Sequence, residues 1–167
     1  MCIRDRASTA IDYPLSTYLV ALCAGPYHEV TDTWRGELTA HPEGKPAQKL
    51  EVPLGIYCRA SLAHALDAER LFTETKQGFD FYHRNFGFPY PFGKYDQIFV
   101  PEFNAGAMEN AGCVTIRDEY VFTSQATHYK YERRADTILH ELAHMWFGDL
   151  VTMQLSLIHI SEHTRPR

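Results

Sequence analysis

The stretch TILHELAHMWFGDL, residues 137–150, combines a helical pattern of apolar side chains with two histidines and a glutamate. In an α-helix His140 and His144 lie one turn apart on the same face, so both imidazoles can reach a single metal ion. The surrounding apolar residues predict that the helix is buried, where such a polar group without partners would be costly. By chance the pattern is expected only roughly 0.03 times in a chain of this composition. We therefore predict a metal site on this helix.

Glu141 lies inside this motif, and its position suits proton transfer better than metal binding. It stands about 100° around the helix from His140, beside the ion, where it can hold a water molecule. Zinc lowers the pKa of such a water toward neutrality, and Glu141 can then accept its proton and later protonate a departing amine. Amide hydrolysis requires both transfers. A catalytic zinc normally has three protein ligands, so the two histidines leave one ligand to be found.

A second motif, VPEFNAGAMENAG, contains Glu109, which lies thirty-one residues before His140. Gly106 and Ala107 are small enough to let a peptide backbone approach and pair with this segment as an added strand. Glu109 is the only charged residue between Phe103 and Thr115. Near a zinc site its carboxylate could bind the free α-ammonium group of a substrate, which would make the protein an exopeptidase. The alternative is a glycine-rich loop with an exposed glutamate.

The order of the predicted elements indicates an α+β fold rather than a regular βαβ alternation. Helical spacing of apolar residues predicts one helix from about Ser61 to Asn85, which stops at Gly87 and Pro89, and a second from about His128 to Phe147, with Gly148 as its stop. Runs rich in β-branched and aromatic residues predict strands; they are STYLVALCAGPYHEV up to its Gly-Pro turn, WRGELTA, KLEVPLGIYCRA, YDQIFVPEF and GCVTIRDEYVF.

The composition limits the classes of function. The chain has 167 residues, 45% of them hydrophobic, which is enough for a packed core. Its net charge is −5, with both signs interspersed and no basic block, so nucleic acid is not an expected partner. The chain shows neither an eighteen-residue apolar run nor the pattern of a signal peptide, so we expect no membrane segment. The four cysteines form no CxxC pair, which favours reduced thiols and a cytoplasmic location.

The combination of GAMEN with HELAH, within KYDQIFVPEFNAGAMENAGCVTIRDEYVF and ERRADTILHELAHMWFGDLVTM, resembles the zinc aminopeptidase N family of gluzincins, and its actinobacterial-type members in particular. The resemblance covers about residues 7 to 153. It implies one zinc ion per active site and peptide substrates with a free N-terminus, with GAMEN favouring the plain aminopeptidase over leukotriene hydrolase relatives. By this resemblance His140 and His144 would bind zinc, Glu141 would be the general base and Glu109 the amine anchor, while Gly106, Ala107, Met108 and Asn110 would contact substrate.

The resemblance also implies a division of the chain. Residues 7–27 would end an N-terminal β-sandwich-like domain, and residues 28–153 would form the first half of a thermolysin-like catalytic domain. The family places its third zinc ligand, a glutamate, nineteen residues after His144, where this chain has His163, with Glu162 one residue early. The terminal segments MCIRDR (1–6) and QLSLIHISEHTRPR (154–167) resemble translated sequencing-adapter sequence. We therefore expect the 167-residue chain to lack the third ligand, to be inactive and poorly stable, and its parent to be an active monomer.

Two other functions remain open on the residues alone: a gluzincin endopeptidase in which Glu109 is incidental, and a non-catalytic peptide-binding module that uses the GAMEN edge. Asp149 is expected either to solvate the end of the motif helix or to orient a ligand histidine. The remaining histidines are expected at the surface; they are His28, His41, His64, His83 and His128. A set of aromatic residues is expected to pack in the core and its loops; they are Phe79, Phe81, Tyr82, Phe86, Phe88, Tyr90 and Phe92.

Overall fold

The structure is a computed structural model that describes residues 14–38, 44 and 46–152. Five strands and two α-helices make up its regular framework: β1 (Tyr27–Leu38), β2 (Gln48–Arg59), α1 (Ala68–Phe86), β3 (Tyr95–Val100), β4 (Ala107–Met108), β5 (Cys113–Arg117) and α2 (His128–His144). Three short 3-10 helices accompany them, at Thr17–Leu19, Ala60–Ala65 and Asp118–Tyr120.

The strands form one mixed sheet in the order β1-β2-β3-β5-β4. The three central strands β2, β3 and β5 are parallel, while β1 and β4 pair antiparallel at the two edges. Parallel neighbours need a long crossover, and α1 supplies the one between β2 and β3. The sheet with its helices agrees with the α+β class expected from the sequence.

A cluster of aromatic rings fills the space between the sheet and the helices. Phe79 of α1 is fully buried, with its ring centroid 5.1 Å from those of Trp34 and Tyr90 and 6.3 Å from that of Trp146. From α2 and the turn after it, the apolar stripe Ile138, Leu142, Met145 and Trp146 is buried against it. Burial of this stripe fixes the rotation of α2 and so decides which way the HELAH side chains point.

The two helices come close at Gly78 of α1. A Cβ atom added there would lie 2.5 Å from Leu139 Cδ2 and 2.9 Å from Leu142 Cδ2. The absence of a side chain at this position therefore lets α2 approach α1 closely, beside the turn that carries the two motif histidines. No helix among the described residues is both long and apolar enough to cross a membrane.

Several predicted boundaries were wrong. The strand predicted from Ser16 to the Gly25-Pro26 turn does not form, because the residues after the Thr17–Leu19 turn, such as the 94% exposed Leu22, have no strand partner in the described part of the chain. The next predicted strand, WRGELTA, is part of β1, which begins earlier, at Tyr27. The first helix begins at Ala68 rather than Ser61, because Leu66 is extended and separates the helix from the 3-10 segment before it.

The ends of the other elements also differ from the prediction. The motif helix ends at His144 rather than Phe147, so Gly148 is not the residue that directly follows the helix. The chain does change direction at Gly148, where φ is 138°. The last strand ends at Arg117, where the chain turns into the 3-10 helix Asp118–Tyr120. The predicted end of the first helix is confirmed, since Gly87 is left-handed at φ 63°.

His83 was expected at the surface, and that prediction was wrong. Its ring is 3% exposed and stacks on Trp34 at 4.5 Å. The Nδ1 atom donates to Phe79 O at 2.7 Å, and Nε2 accepts a hydrogen bond from the Tyr90 amide at 3.1 Å. His83 is therefore a satisfied, neutral core histidine, and its burial lowers its pKa.

Other expectations for single residues had mixed outcomes. His28, His64 and His128 are exposed as expected. Of the aromatic set, Phe81 and Phe88 are exposed rather than packed, at 56% and 41%. His41, Glu162, His163, the terminal segments 1–6 and 154–167, and residues 7–13 of the proposed N-terminal domain lie outside the described residues.

Candidate active site

The two motif histidines face each other from successive turns of α2. Their Nε2 atoms are 3.1 Å apart and their ring centroids 4.7 Å apart. The Nδ1 atom of His144 lies 3.0 Å from the carbonyl oxygen of Phe147. Because a carbonyl can only accept, Nδ1 carries the ring proton, and the unprotonated Nε2 of His144 points toward His140.

Glu109 reaches the same place from the edge of the sheet. Strand β4, with Ala107 opposite Ile116 and Met108 opposite Thr115, ends immediately before it. The strand continues into a turn fixed by the hydrogen bond from the amide of Cys113 to Asn110 O at 2.9 Å. One oxygen of Glu109, one of Glu141 and one nitrogen of His144 all lie within 4.8 Å of one another.

Glu141 occupies the interior side of this group. It is 5% exposed, and its Oε2 atom has no hydrogen-bond partner among the described residues. Burial raises its pKa to about 7, with a further rise from the neighbouring Glu109 carboxylate and an opposing effect of His144. A carboxyl group with a pKa near neutrality can both accept and return a proton at physiological pH.

Asp149 matches neither of its expected roles. It is 2% exposed, so it does not solvate the end of the helix. The Nδ1 atom of His144 is engaged by Phe147 O, and neither oxygen of Asp149 has a hydrogen-bond partner in the described part of the chain. Burial, with the charges of Glu109 and Glu141, raises its pKa to about 7.

The residues of GAMEN differ in exposure: the first four lie at an unpaired edge of the described sheet, and Asn110 is buried. Gly106 is exposed and Ala107, Met108 and Glu109 are half-buried along β4, whose outer edge is unpaired among the described strands. Asn110 is 4% exposed, and its amide donates to the hydroxyl of Thr115 at 3.1 Å. The side chain of Asn110 thus fastens the motif to β5.

The donor set suits a zinc ion. Two nitrogens bound to a tetrahedral zinc at about 2.0–2.1 Å lie about 3.3 Å apart, close to the 3.1 Å between the two Nε2 atoms. A different set of three, Glu109 with Glu141 and His144, is also compact. We favour the histidine pair, because the separation of its two Nε2 atoms already matches that of two nitrogens on one zinc ion.

Of the site residues predicted from the sequence, the structure brings Glu109, Glu141 and His144 together and places His140 beside His144. Sequence reasoning missed the Phe147 carbonyl, which no side-chain pattern can reveal, because a main-chain contact depends on the path of the turn. It also missed the burial of Asp149, for which the only signal was the apolar context FGDLV.

Comparison with known proteins assigns the chain to a family. The family model for the Peptidase family M1 domain matches residues 71–155, about half of the chain, and its match includes both motifs. The chain belongs to peptidase family M1. Among M1 relatives, the aminopeptidase N of Streptomyces lividans is 60% identical over 140 residues, which cover 84% of this chain and 15% of the relative.

More distant relatives align over a similar span. Aminopeptidase 2 of Candida albicans is 36% identical and the glutamyl aminopeptidase of Sus scrofa 35% identical, each over 143 residues that cover 84% of this chain and 14% of the relative. The chain thus spans about 15% of the length of these M1 relatives.

Proposed function

We propose that this chain supplies the amine-anchoring and proton-transferring part of a zinc-dependent aminopeptidase site. The observation that carries the proposal is the convergence of Glu109, from the end of β4, with Glu141 and His144 of α2, their polar atoms within 4.8 Å of one another. A carboxylate fixed at the end of an open strand edge, next to a proton-transferring carboxyl group, suits a substrate that presents its first residue. The aminopeptidase names of the relatives support the same function.

His140 and His144 would hold the metal through their Nε2 atoms. A bound zinc ion would supply Lewis acidity to the scissile carbonyl group and to the attacking water. With Nδ1 of His144 bonded to Phe147 O, the ring is held in the required tautomer before the ion arrives.

Glu141 would carry the proton through hydrolysis. Its carboxylate accepts a proton from water as the water oxygen attacks the carbonyl carbon, and it returns that proton to the amide nitrogen as the C–N bond breaks. Its burial makes both steps accessible near neutral pH by bringing its pKa to about 7. Glu109 would bind the substrate's α-ammonium group, so that the bond presented for cleavage is the first one.

We further propose that the 167-residue chain by itself binds zinc weakly and does not turn over peptides. Its described residues offer two imidazole ligands that face each other, whereas catalytic zinc sites usually have three protein ligands. The cytoplasmic location and the monomeric parent expected from the sequence stay predictions.

A chimera tests the function in a complete scaffold. The 140 aligned residues of the Streptomyces lividans aminopeptidase N are exchanged for those of this chain, and cleavage of a peptide with a free N-terminus is compared with that of its acetylated form. We expect zinc-dependent release of the first residue from the free peptide and no cleavage of the capped one. Equal cleavage of both would favour an endopeptidase, and peptide binding without any turnover would favour a binding module.

A further inference from the structure

A pocket of about 300 Å³ lies near the start of α2, outside the site described above. Three cationic and three aromatic side chains line it together with one carboxylate; they are Arg117, Lys130, Arg133, Tyr120, Phe122, Tyr129 and Glu119. Three positive charges and one negative charge leave a net charge of +2. Such a lining suits an anion attached to an organic molecule that can pack against the rings.

The cations of this pocket are only loosely neutralised. The Glu119 carboxylate lies 3.4 Å from Arg117, with its side chain 76% exposed, and Asp136 lies 3.8 Å from Arg133, with its side chain 75% exposed. Exposed pairs of this kind contribute little, so a ligand carboxylate can compete with them. Among the described residues, no carboxylate lies within 4.0 Å of the Lys130 ammonium group.

The pocket opens on the same face of α2 as the motif histidines. Arg133 precedes His140 by seven residues, which places the two about 20° apart around the helix and about 10.5 Å apart along its axis. An extended peptide covers this distance with about three residues. A peptide that left the histidines along this face would therefore reach Arg133 after about three residues.

The direction of the strand edge leads to the same place. A substrate whose amine is held by Glu109 and whose backbone lies along β4 must run antiparallel to that strand, from Met108 toward Gly106. The neighbour at that end is Arg117, whose amide donates to Gly106 O at 3.1 Å and whose guanidinium donates to Phe103 O at 3.2 Å. The Arg117 side chain also lines the pocket. The helix face and the strand direction thus converge on one position.

We propose that Lys130 and Arg133 bind the C-terminal carboxylate of a short peptide substrate that has three residues after the cleaved bond. This inference rests on the proposed aminopeptidase function and adds a preferred substrate class, unblocked tetrapeptides. Arginine suits the role because its planar guanidinium can bind a carboxylate through two parallel hydrogen bonds. The guanidinium of Arg117 already donates to Phe103 O, so we do not assign it to the carboxylate. Arg117 instead lies between β4, along which the substrate backbone would run, and the pocket.

The test compares tetraalanine with its C-terminal amide on the chimera described above. We expect kcat/KM to be about fivefold higher for the free acid, mainly through KM, as is typical of a partly exposed charge pair. The ratio of acid to amide should fall to about one in the double variant Lys130→Gln/Arg133→Gln, and it should also fall as salt is raised. The matched control is Arg35→Gln, whose arginine is exposed on β1 at the other end of the sheet and which should keep the wild-type ratio.

Equilibrium binding of the two peptides to the metal-free chimera is measured in parallel, so that the answer does not depend on turnover. An acid-to-amide ratio of one in the wild type, or a ratio that survives the double variant, overturns the carboxylate subsite. Failure of the proposed function looks different, because the wild-type chimera would then either cleave neither peptide nor an alanyl anilide, or cleave an acetylated peptide as well as the free one. In that case the binding ratio still decides the subsite.

Discussion

The Nδ1 atom of His144 donates a hydrogen bond of 3.0 Å to the main-chain oxygen of Phe147, three residues further along the chain. The chain can turn back in this way because Gly148 adopts a φ of 138°, which residues with side chains rarely do. The turn is closed by the hydrogen bond from the Asp149 amide to His144 O at 3.0 Å. The orientation of one proposed metal ligand therefore depends on the backbone that follows its helix.

Gly148→Ala should weaken zinc binding. The added Cβ atom would lie 3.0 Å from Nδ1 of His144 and would add backbone strain of about 1–3 kcal/mol. We expect zinc affinity, measured by competition with a chromogenic chelator, to fall about tenfold, the lower end of the effects seen when a ligand's supporting contact is lost. Gly93→Ala is the matched control, because no heavy atom lies within 4 Å of its added Cβ. Equal affinities of the two variants would refute the role of the turn.

Asp149→Asn should stabilise the metal-free chain at pH 8. The pKa of Asp149 is raised to about 7 by burial, so the folded state binds more protons than the unfolded state between about pH 4 and pH 7. The contribution of Asp149 to the free energy of unfolding is therefore greatest below about pH 4. It falls as the pH rises from about 4 to about 7 and stays low at higher pH. Asparagine removes the buried charge, which we expect to be worth on the order of 3 kcal/mol at pH 8.

Urea unfolding in the presence of EDTA, at pH 5 and pH 8, measures this effect. The difference in unfolding free energy between Asp149→Asn and the wild type should be larger at pH 8 than at pH 5. Asp136→Asn, at a position whose side chain is 75% exposed, should show much the same difference at both pH values. The account of Asp149 is wrong if the two variants behave alike.

Glu109→Gln separates the amine anchor from a metal ligand. If Glu109 binds the α-ammonium group, the chimera should lose kcat/KM by roughly 10- to 100-fold, since charged hydrogen bonds contribute about 1.5–3 kcal/mol, while its zinc affinity stays unchanged. Glu102→Gln, an exposed carboxylate seven residues earlier, is the control and should retain wild-type kinetics. A large loss of zinc affinity in Glu109→Gln would favour the alternative donor set of Glu109, Glu141 and His144.

Phe79→Ala should destabilise the fold far more than Phe81→Ala. Both residues are in α1, but the Phe79 ring is fully buried among core rings and Phe81 is 56% exposed. We expect a cost of about 3–5 kcal/mol for Phe79 and under about 1 kcal/mol for Phe81, measured by urea unfolding. Similar costs would mean that the helices do not pack on the sheet as described.

The sequence predicted those parts of the fold that local periodicity determines. Both helices, the end of the first at Gly87, and the placement of two histidines on one helical face follow from spacing along the chain. The strand prediction near Ser16 failed because β-propensity is realised only where a partner strand is present. His83 was misassigned because its burial comes from the stacked Trp34, a residue forty-nine positions away.

The candidate site was predictable to a similar extent. Its titratable groups could be named from HELAH and GAMEN, but their proximity depends on the sheet order that places β4 beside β5 and against α2. The Phe147 carbonyl, the buried Asp149 and the pocket near the start of α2 depend on tertiary contacts and on the direction of the backbone. Residue spacing in the sequence contains little information about these contacts or this direction.

The most direct test of the central claim, that His140 and His144 together hold one metal ion, is a zinc titration of the 167-residue chain. It is carried out by isothermal calorimetry on the wild type and on the variants His140→Ala, His144→Ala and His128→Ala. We expect weak binding of one zinc ion per chain, lost in each of the first two variants and retained in His128→Ala, whose histidine is exposed at the start of the same helix. Wild-type affinity in His140→Ala or His144→Ala would contradict the account.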